Sequence, residues 1–293
     1  MCAKTPCRLY HFSLGRVDME MKYTDTHAHL NFAAYDADRA EVITRALEQR
    51  VGVINVGTQK DTSNGAVELA EQNEHMWATV GLHPIHTSAS YHDAEELGEG
   101  GKEFTSRGEV FDYDFYKKLA AHPKVVAIGE CGLDFFRQPE GAAQKKQEEV
   151  FVRQIELANE VGKSLMLHIR SAYAEAYEII KRHARVHGNL HFFAGSVEEA
   201  QLFLDAGFYF SFTGVITFAR SYDEVIRFLP LGRIMSETDC PFVSPAPHRG
   251  KRNEPAFVVE VARKIADIRD EDRERVRAAL VENAKSCYAL PHV

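Results

Sequence analysis

Val-Val-Ala-Ile-Gly-Glu, residues 125–130, is a short apolar run that closes on a single carboxylate. A bounded apolar run of this length reads as a buried strand. The segment that follows, Gln144–Val161, places Val150, Phe151, Ile155, Leu157 and Ala158 on one helical face. This unit recurs along the chain. Strands are expected at Lys22–Thr26, Val51–Val56, Trp77–Gly81, Val125–Gly129, Ser164–His168, Asn189–Phe193, Tyr209–Phe212 and Ile234–Thr238. Helical stretches at Asp36–Gln49, Tyr173–His187, Val197–Ala206 and Asp223–Leu229 fall between them, and Pro255–Ala289 reads as two further helices outside the alternation. Each return to a parallel neighbour needs a crossover, so alternation of this kind implies a parallel sheet. Eight strands favour a closed (β/α)8 TIM barrel over an open doubly wound sheet.

A barrel of this kind accommodates all 293 residues as one unit. Residues 21–293 are therefore expected to form the barrel, with residues 1–20 a flexible extension in front of it and Met19 or Met21 a candidate start. A polar insertion at about 85–112, containing Gly98, Gly100 and Gly101, follows the third strand. In a barrel this places it on the catalytic rim, as a lid or as a plain surface loop. The 35 basic against 43 acidic side chains give a net charge of −8, which argues against a broadly basic nucleic-acid coat protein. An enzyme acting on nucleic acid through a local site remains compatible with that balance. No apolar run reaches the length of a spanning helix, so no membrane partner is expected. Five cysteines without a Cys-x-x-Cys pair suggest a reducing compartment and a cytoplasmic protein. Neither Gly-x-Gly-x-x-Gly nor a Gly-Lys-Ser/Thr loop is present, so no nucleotide cofactor is expected.

Charged and imidazole side chains close the strands. His27 and His29, in Thr-Asp-Thr-His-Ala-His, lie two apart, so an extended backbone turns both to one face. Glu130, His168, His191 and Asp239 each stand at or near the end of another expected strand. That end of a barrel is where active sites are built. Unpaired charge is costly to bury, so these groups should meet a cation or one another. Four histidines and two carboxylates exceed the ligand set of one catalytic zinc. They suit two divalent cations about 3.5–4 Å apart, sharing a carboxylate and leaving positions for water. Hydrolysis is the chemistry this set implies.

The motifs resemble those of the TatD family of metal-dependent deoxyribonucleases, among the amidohydrolase-like barrels. The matching segments are DTHAHL at 25–30, VGLHP at 80–84, IGECGLDFFR at 128–137, LHIR at 167–170, HFFAG at 191–195 and SETDCPF at 236–242, running into PHRGKRNEP at 247–255. The resemblance implies that His27, His29 and Asp239 hold one metal, that Glu130 bridges, and that His168 and His191 hold the second. It implies a phosphodiesterase that shortens single-stranded DNA from the 3′ end with metal-activated water, Asp239 serving as general base and Glu130 as its catalytic partner. His83 would donate to a phosphate or make a structural hydrogen bond. Asp134 would hold a ligand histidine by its second nitrogen or cap the next segment. Arg249, Lys251 and Arg252 would meet the nucleic-acid backbone, and Phe135, Phe136, Phe193 and Phe242 would stack on bases or fill the core. Where the family more often has Cys-Phe-Ser-Gly, this chain has Phe-Phe-Ala-Gly after His191.

The family resemblance implies Mg2+, whereas four imidazoles favour Zn2+ or Mn2+ over a hard, oxygen-seeking cation. Two rival functions fit the same residues: a binuclear amidohydrolase acting on a small amide, ester or lactone, and a non-enzymatic barrel with a structural metal.

Overall fold

The computed structural model describes residues 20–92, 104–136 and 141–291. The 1–19 part of the expected extension, and Gly98, Gly100 and Gly101 of the insertion, lie outside these. Eight parallel strands form one sheet in the order β1 (Tyr23–Ala28), β2 (Val51–Val56), β3 (Met76–Val80), β6 (Val125–Asp134), β7 (Ser164–Arg170), β8 (Gly188–Leu190), β9 (Tyr209–Phe212) and β10 (Ile234–Ser236). The pairings run parallel throughout. The seam between β1 and β10 is closed at the strand ends: Asp239 N donates to His27 O and His29 N to Cys240 O, both at 2.9 Å. The protein is thus the expected (β/α)8 barrel.

Helices α1 (Arg39–Glu48), α2 (Lys60–Gln72), α3 (Tyr113–Ala120), α4 (Ala142–Val161), α5 (Tyr173–His183), α6 (Val197–Asp205) and α7 (Asp223–Phe228) make the outer ring. Their starts follow local chemistry. Asp112 accepts from Phe115 N at the head of α3, and Ser196 and Glu199 form a reciprocal capping box at the head of α6. The C-terminal pair, α8 (Val258–Arg269) and α9 (Arg273–Tyr288), matches the two helices expected there.

Strand residues alternate between two apolar clusters. Val53, Ala78, Leu165, Leu167 and Ile234 pack outward in the larger cluster with the helices. Their neighbours Ile54, Trp77, Met166 and Met235 belong to a second cluster, so period-two alternation turns these toward the barrel axis. Cys287 and Tyr288, at the end of α9, and Leu290 join that inner cluster. Below the site the barrel is therefore a packed core rather than a pore. Among the described residues, Cys131, Cys240 and Cys287 are free and buried, and no helix is long and apolar enough to cross a membrane.

The segment after β3 contains more order than the polar sequence suggested. Strands β4 (Ala89–His92) and β5 (Phe104–Arg107) pair antiparallel, and Glu109 N donates to His86 O at 2.7 Å, fastening the ribbon to the rim.

Candidate metal centre

The β1–β2 register shifts between Asp25 and Ala28, and the β6–β7 register shifts between Ile128 and Cys131. Such irregularities re-aim side chains, and they span His27 in β1 and Glu130 in β6. Glu130 is 3% exposed and lies between two groups of imidazoles. Its Oε2 is 3.4 Å from His27 Nε2 and 3.9 Å from His29 Nε2. Asp239 Oδ1 approaches the same two nitrogens at 3.8 and 3.5 Å. On the other side, Glu130 Oε1 is 2.9 Å from His191 Nε2 and 3.1 Å from His168 Nδ1. The six residues expected to meet do meet.

Proton positions decide whether this is a set of hydrogen bonds or a cation site. His29 Nδ1 lies 3.1 Å from Val56 O, and a carbonyl only accepts, so Nδ1 carries the proton. His29 Nε2 then faces His27 Nε2, 3.1 Å away, and two carboxylates. His168 Nε2 lies 3.0 Å from Asp134 Oδ2, which leaves His168 Nδ1 facing Glu130 Oε1 and His191 Nε2. Each half of the site thus gathers electron-rich atoms around one point, and the donor set fits a divalent cation in each half.

Without metal, burial and neighbouring charge set the protonation of these groups. Burial alone would raise the Glu130 carboxyl, but His83, His191 and His27 hold it well below the usual carboxylate range. Burial, with His191 beside it, pushes His27 down to about 3, so its imidazole is a neutral donor near pH 7. Burial opposes protonation of His191 as well, yet Glu130 and then Glu237 lift it well above the ordinary histidine value.

His83, at the end of β3, enters the cluster differently. Its Nδ1 accepts from Ile85 N at 3.1 Å, so the proton sits on Nε2, 3.3 Å from Glu130 Oε1. This tautomer makes His83 a donor. Asp134 does both things its position suggested: Oδ2 holds His168, and Oδ1 accepts from Phe136 N at 3.0 Å.

Of the basic cluster, Arg252 donates to Asp38 Oδ2 and to Ala34 O, both at 2.6 Å, and lies over the Tyr35 ring. Arg249 stacks on Phe218 at 3.6 Å, and Lys251 is exposed. Phe193 is core, 1% exposed, and Phe135 packs against the core. Phe136 lies under the Arg170 guanidinium at 3.7 Å. Phe242 stands edge-on to His29 with ring centroids 6.4 Å apart.

Sequence reasoning missed Glu237 and Asp25. Glu237 is fully buried, accepts from Phe192 N at 2.7 Å, and faces His191 Nδ1 at 3.3 Å. Asp25 accepts from Thr238 N at 2.8 Å and Thr238 Oγ1 at 2.5 Å, tying the approach to His27 to that of Asp239. The available signal was parity: Glu237 and Asp25 each stand two residues before an expected ligand, inside strand-like sequence.

Residues 24–289 match the family described as TatD related DNase. An uncharacterized metal-dependent hydrolase of Bacillus subtilis, YabD, is 38% identical over 271 residues, covering 91% of this chain and 98% of the relative. A protein of Escherichia fergusonii named 3′-5′ ssDNA/RNA exonuclease TatD is 31% identical, over 91% of this chain and 98% of its own length. The crystal structure of the TatD homologue YJJV from Escherichia coli K12 superposes with a TM-score of 0.78 at 26% identity, covering 92% of this chain and 99% of that one.

Proposed function

Because this chain belongs to the TatD family and is a metal-dependent hydrolase, we propose that it removes nucleotides from the 3′ end of single-stranded DNA with two divalent ions bound. The observation that carries this reading is the division of Glu130: Oε2 addresses His27 and His29, and Oε1 addresses His168 and His191. One ion would be held by His27, His29, Asp239 and Glu130, and the other by Glu130, His168 and His191. When bound, such a pair lowers the pKa of water and stabilises charge on a phosphoryl group. The family resemblance implies Mg2+, whereas the imidazole-rich set favours Mn2+ or Zn2+.

The chain's own groups do the rest. The Asp239 side chain, 13% exposed and beside His27 and His29, would act as the base that takes a proton from the attacking water. Glu130, held ionised by its histidines, keeps the two halves of the site in register. His83 Nε2–H, 3.3 Å from Glu130 Oε1, would donate to a phosphate oxygen. Arg249 and Lys251, on the segment that follows Asp239, supply charge for the strand's backbone. Arg252 contributes to the same field while bracing that segment against Asp38. The name of the Escherichia fergusonii relative supports both the polarity and the single-stranded substrate.

The test is the loss of nucleotides from 5′-labelled single-stranded DNA, with stripped protein and Mg2+, Mn2+ or Zn2+ added back. A shortening ladder in one metal is expected. Asp239→Asn should slow it by about 10³-fold or more, in the range for loss of a positioned base, with circular dichroism unchanged. No cleavage of DNA in any metal, with two ions bound, would replace this reading by hydrolysis of a small amide, ester or lactone.

A further inference from the structure

Behind His191 a line of polar groups crosses three neighbouring strands, and the proposed chemistry makes no use of it. Asn189 on β8, Ser211 on β9 and Glu237 just past β10 are all fully buried. Asn189 Nδ2 donates to Ser211 Oγ at 2.6 Å. Ser211 Oγ in turn donates to Glu237 Oε2. Glu237 Oε1 accepts from Phe192 N at 2.7 Å and faces His191 Nδ1 at 3.3 Å.

The directions of these bonds follow from the groups. An amide nitrogen only donates, so Asn189 occupies a lone pair of the Ser211 hydroxyl and leaves its single proton for Glu237. The Glu237 carboxylate is then fixed by one donor on each oxygen. Each oxygen keeps a further lone pair, and His191 Nδ1 lies 3.3 Å from Oε1. A proton on Nδ1 suits that neighbour, and in the neutral ring it leaves the Nε2 lone pair on the side of Glu130 Oε1. His168 receives the same service from Asp134 directly. For His191 it is distributed over three strands.

We propose that Asn189 and Ser211 are positioning residues for the metal centre: through Glu237 they set the tautomer and ring orientation of His191. This rests on the reading of His191 as a metal ligand. Groups that orient a ligand imidazole change metal affinity about 10–100-fold when removed. The experiment is calorimetric titration of stripped protein with Mn2+ or Zn2+ alone, together with 15N spectra of the histidine side chains in the metal-free state at a pH above the His191 titration, where the ring is neutral. Wild type should take two equivalents, with His191 in the Nδ1–H form. Ser211→Ala should weaken one equivalent about 10–100-fold, leave the other unchanged and mix the His191 tautomers, and Ser211→Thr should restore both readouts. Should Ser211→Ala fail to fold, Asn189→Leu removes the donor to Ser211 at similar volume and should shift both readouts the same way.

Wild-type titration in a variant, with His191 unaltered, overturns the proposal. An affinity loss with His191 still wholly Nδ1–H overturns it too, because Ser211 would then act through packing. A wild-type protein that binds no ion overturns the metal reading itself, a separate and recognisable failure.

Discussion

At the scale of single residues, what turns a cluster of histidines into a metal centre is the partner on each ring's far nitrogen. Val56 O serves His29, Asp134 serves His168 and Glu237 serves His191. A charged partner makes the ring a better donor than a carbonyl does. Asp134→Asn tests this, since asparagine Oδ1 keeps the acceptor for Phe136 N while its amide nitrogen, a donor, replaces the charged acceptor beside His168 Nε2. The ion held by His168 should bind about 10–100-fold more weakly while the His27–His29 ion is unaffected, read by metal titration. Equal affinities would mean that neither the acceptor nor its charge matters there. Sequence alone left Asp134 between two roles because its distance to His168, 34 residues along the chain, becomes short only through the β6–β7 register.

At the scale of elements, β6 carries the centre, and two glycines let it do so. Gly129 and Gly132 flank Glu130 with φ of 151° and 139°, a region L side chains rarely adopt. A Cβ on Gly132 would overlap His168 O, and one on Gly129 would overlap Met166 O. Gly132→Ala should therefore cost more than ~1 kcal/mol in urea denaturation and should also loosen the ion shared by Glu130 and His168. A variant as stable as wild type would show that the two strands need not approach so closely.

The same element explains what was legible in the sequence. Strand positions stood out because each is an apolar run, and ligand positions because each run closes on a histidine or carboxylate. The bounds were less legible. Phe192 and Phe193 extend the apolar run after His191, yet Phe192 takes φ 45° and β8 ends at Leu190. The β4–β5 ribbon was read as a loop because its sequence is polar and lacks alternation. Glu237 was hidden because its partners lie on other strands, 26 residues away at Ser211 and 46 at His191.

At the scale of the whole molecule, the centre doubles as a closure of the barrel. Its groups come from the ends of β1, β3, β6, β7, β8 and β10, six of the eight barrel strands. The seam between β1 and β10 is fastened just beneath it by Asp25, Thr238 and the backbone bonds of His27 and Asp239. An unfolded chain cannot assemble donors so far apart in sequence, so divalent ions should bind the native state almost exclusively. Mass action then gives each site about 4 kcal/mol of apparent stability at a thousandfold excess of ion over Kd. For a domain of this size that corresponds to a thermal midpoint on the order of 10 °C higher per ion. Chelation of the purified protein should lower the midpoint by that amount or more, and adding the ion back should restore it. His168→Ala, which strips one half of the centre, should show roughly half the shift, because the His27–His29 half still joins β1 to Asp239. A chelated protein with verified loss of metal and an unmoved midpoint would mean that the barrel closes without its ions and that the centre is held by the scaffold alone.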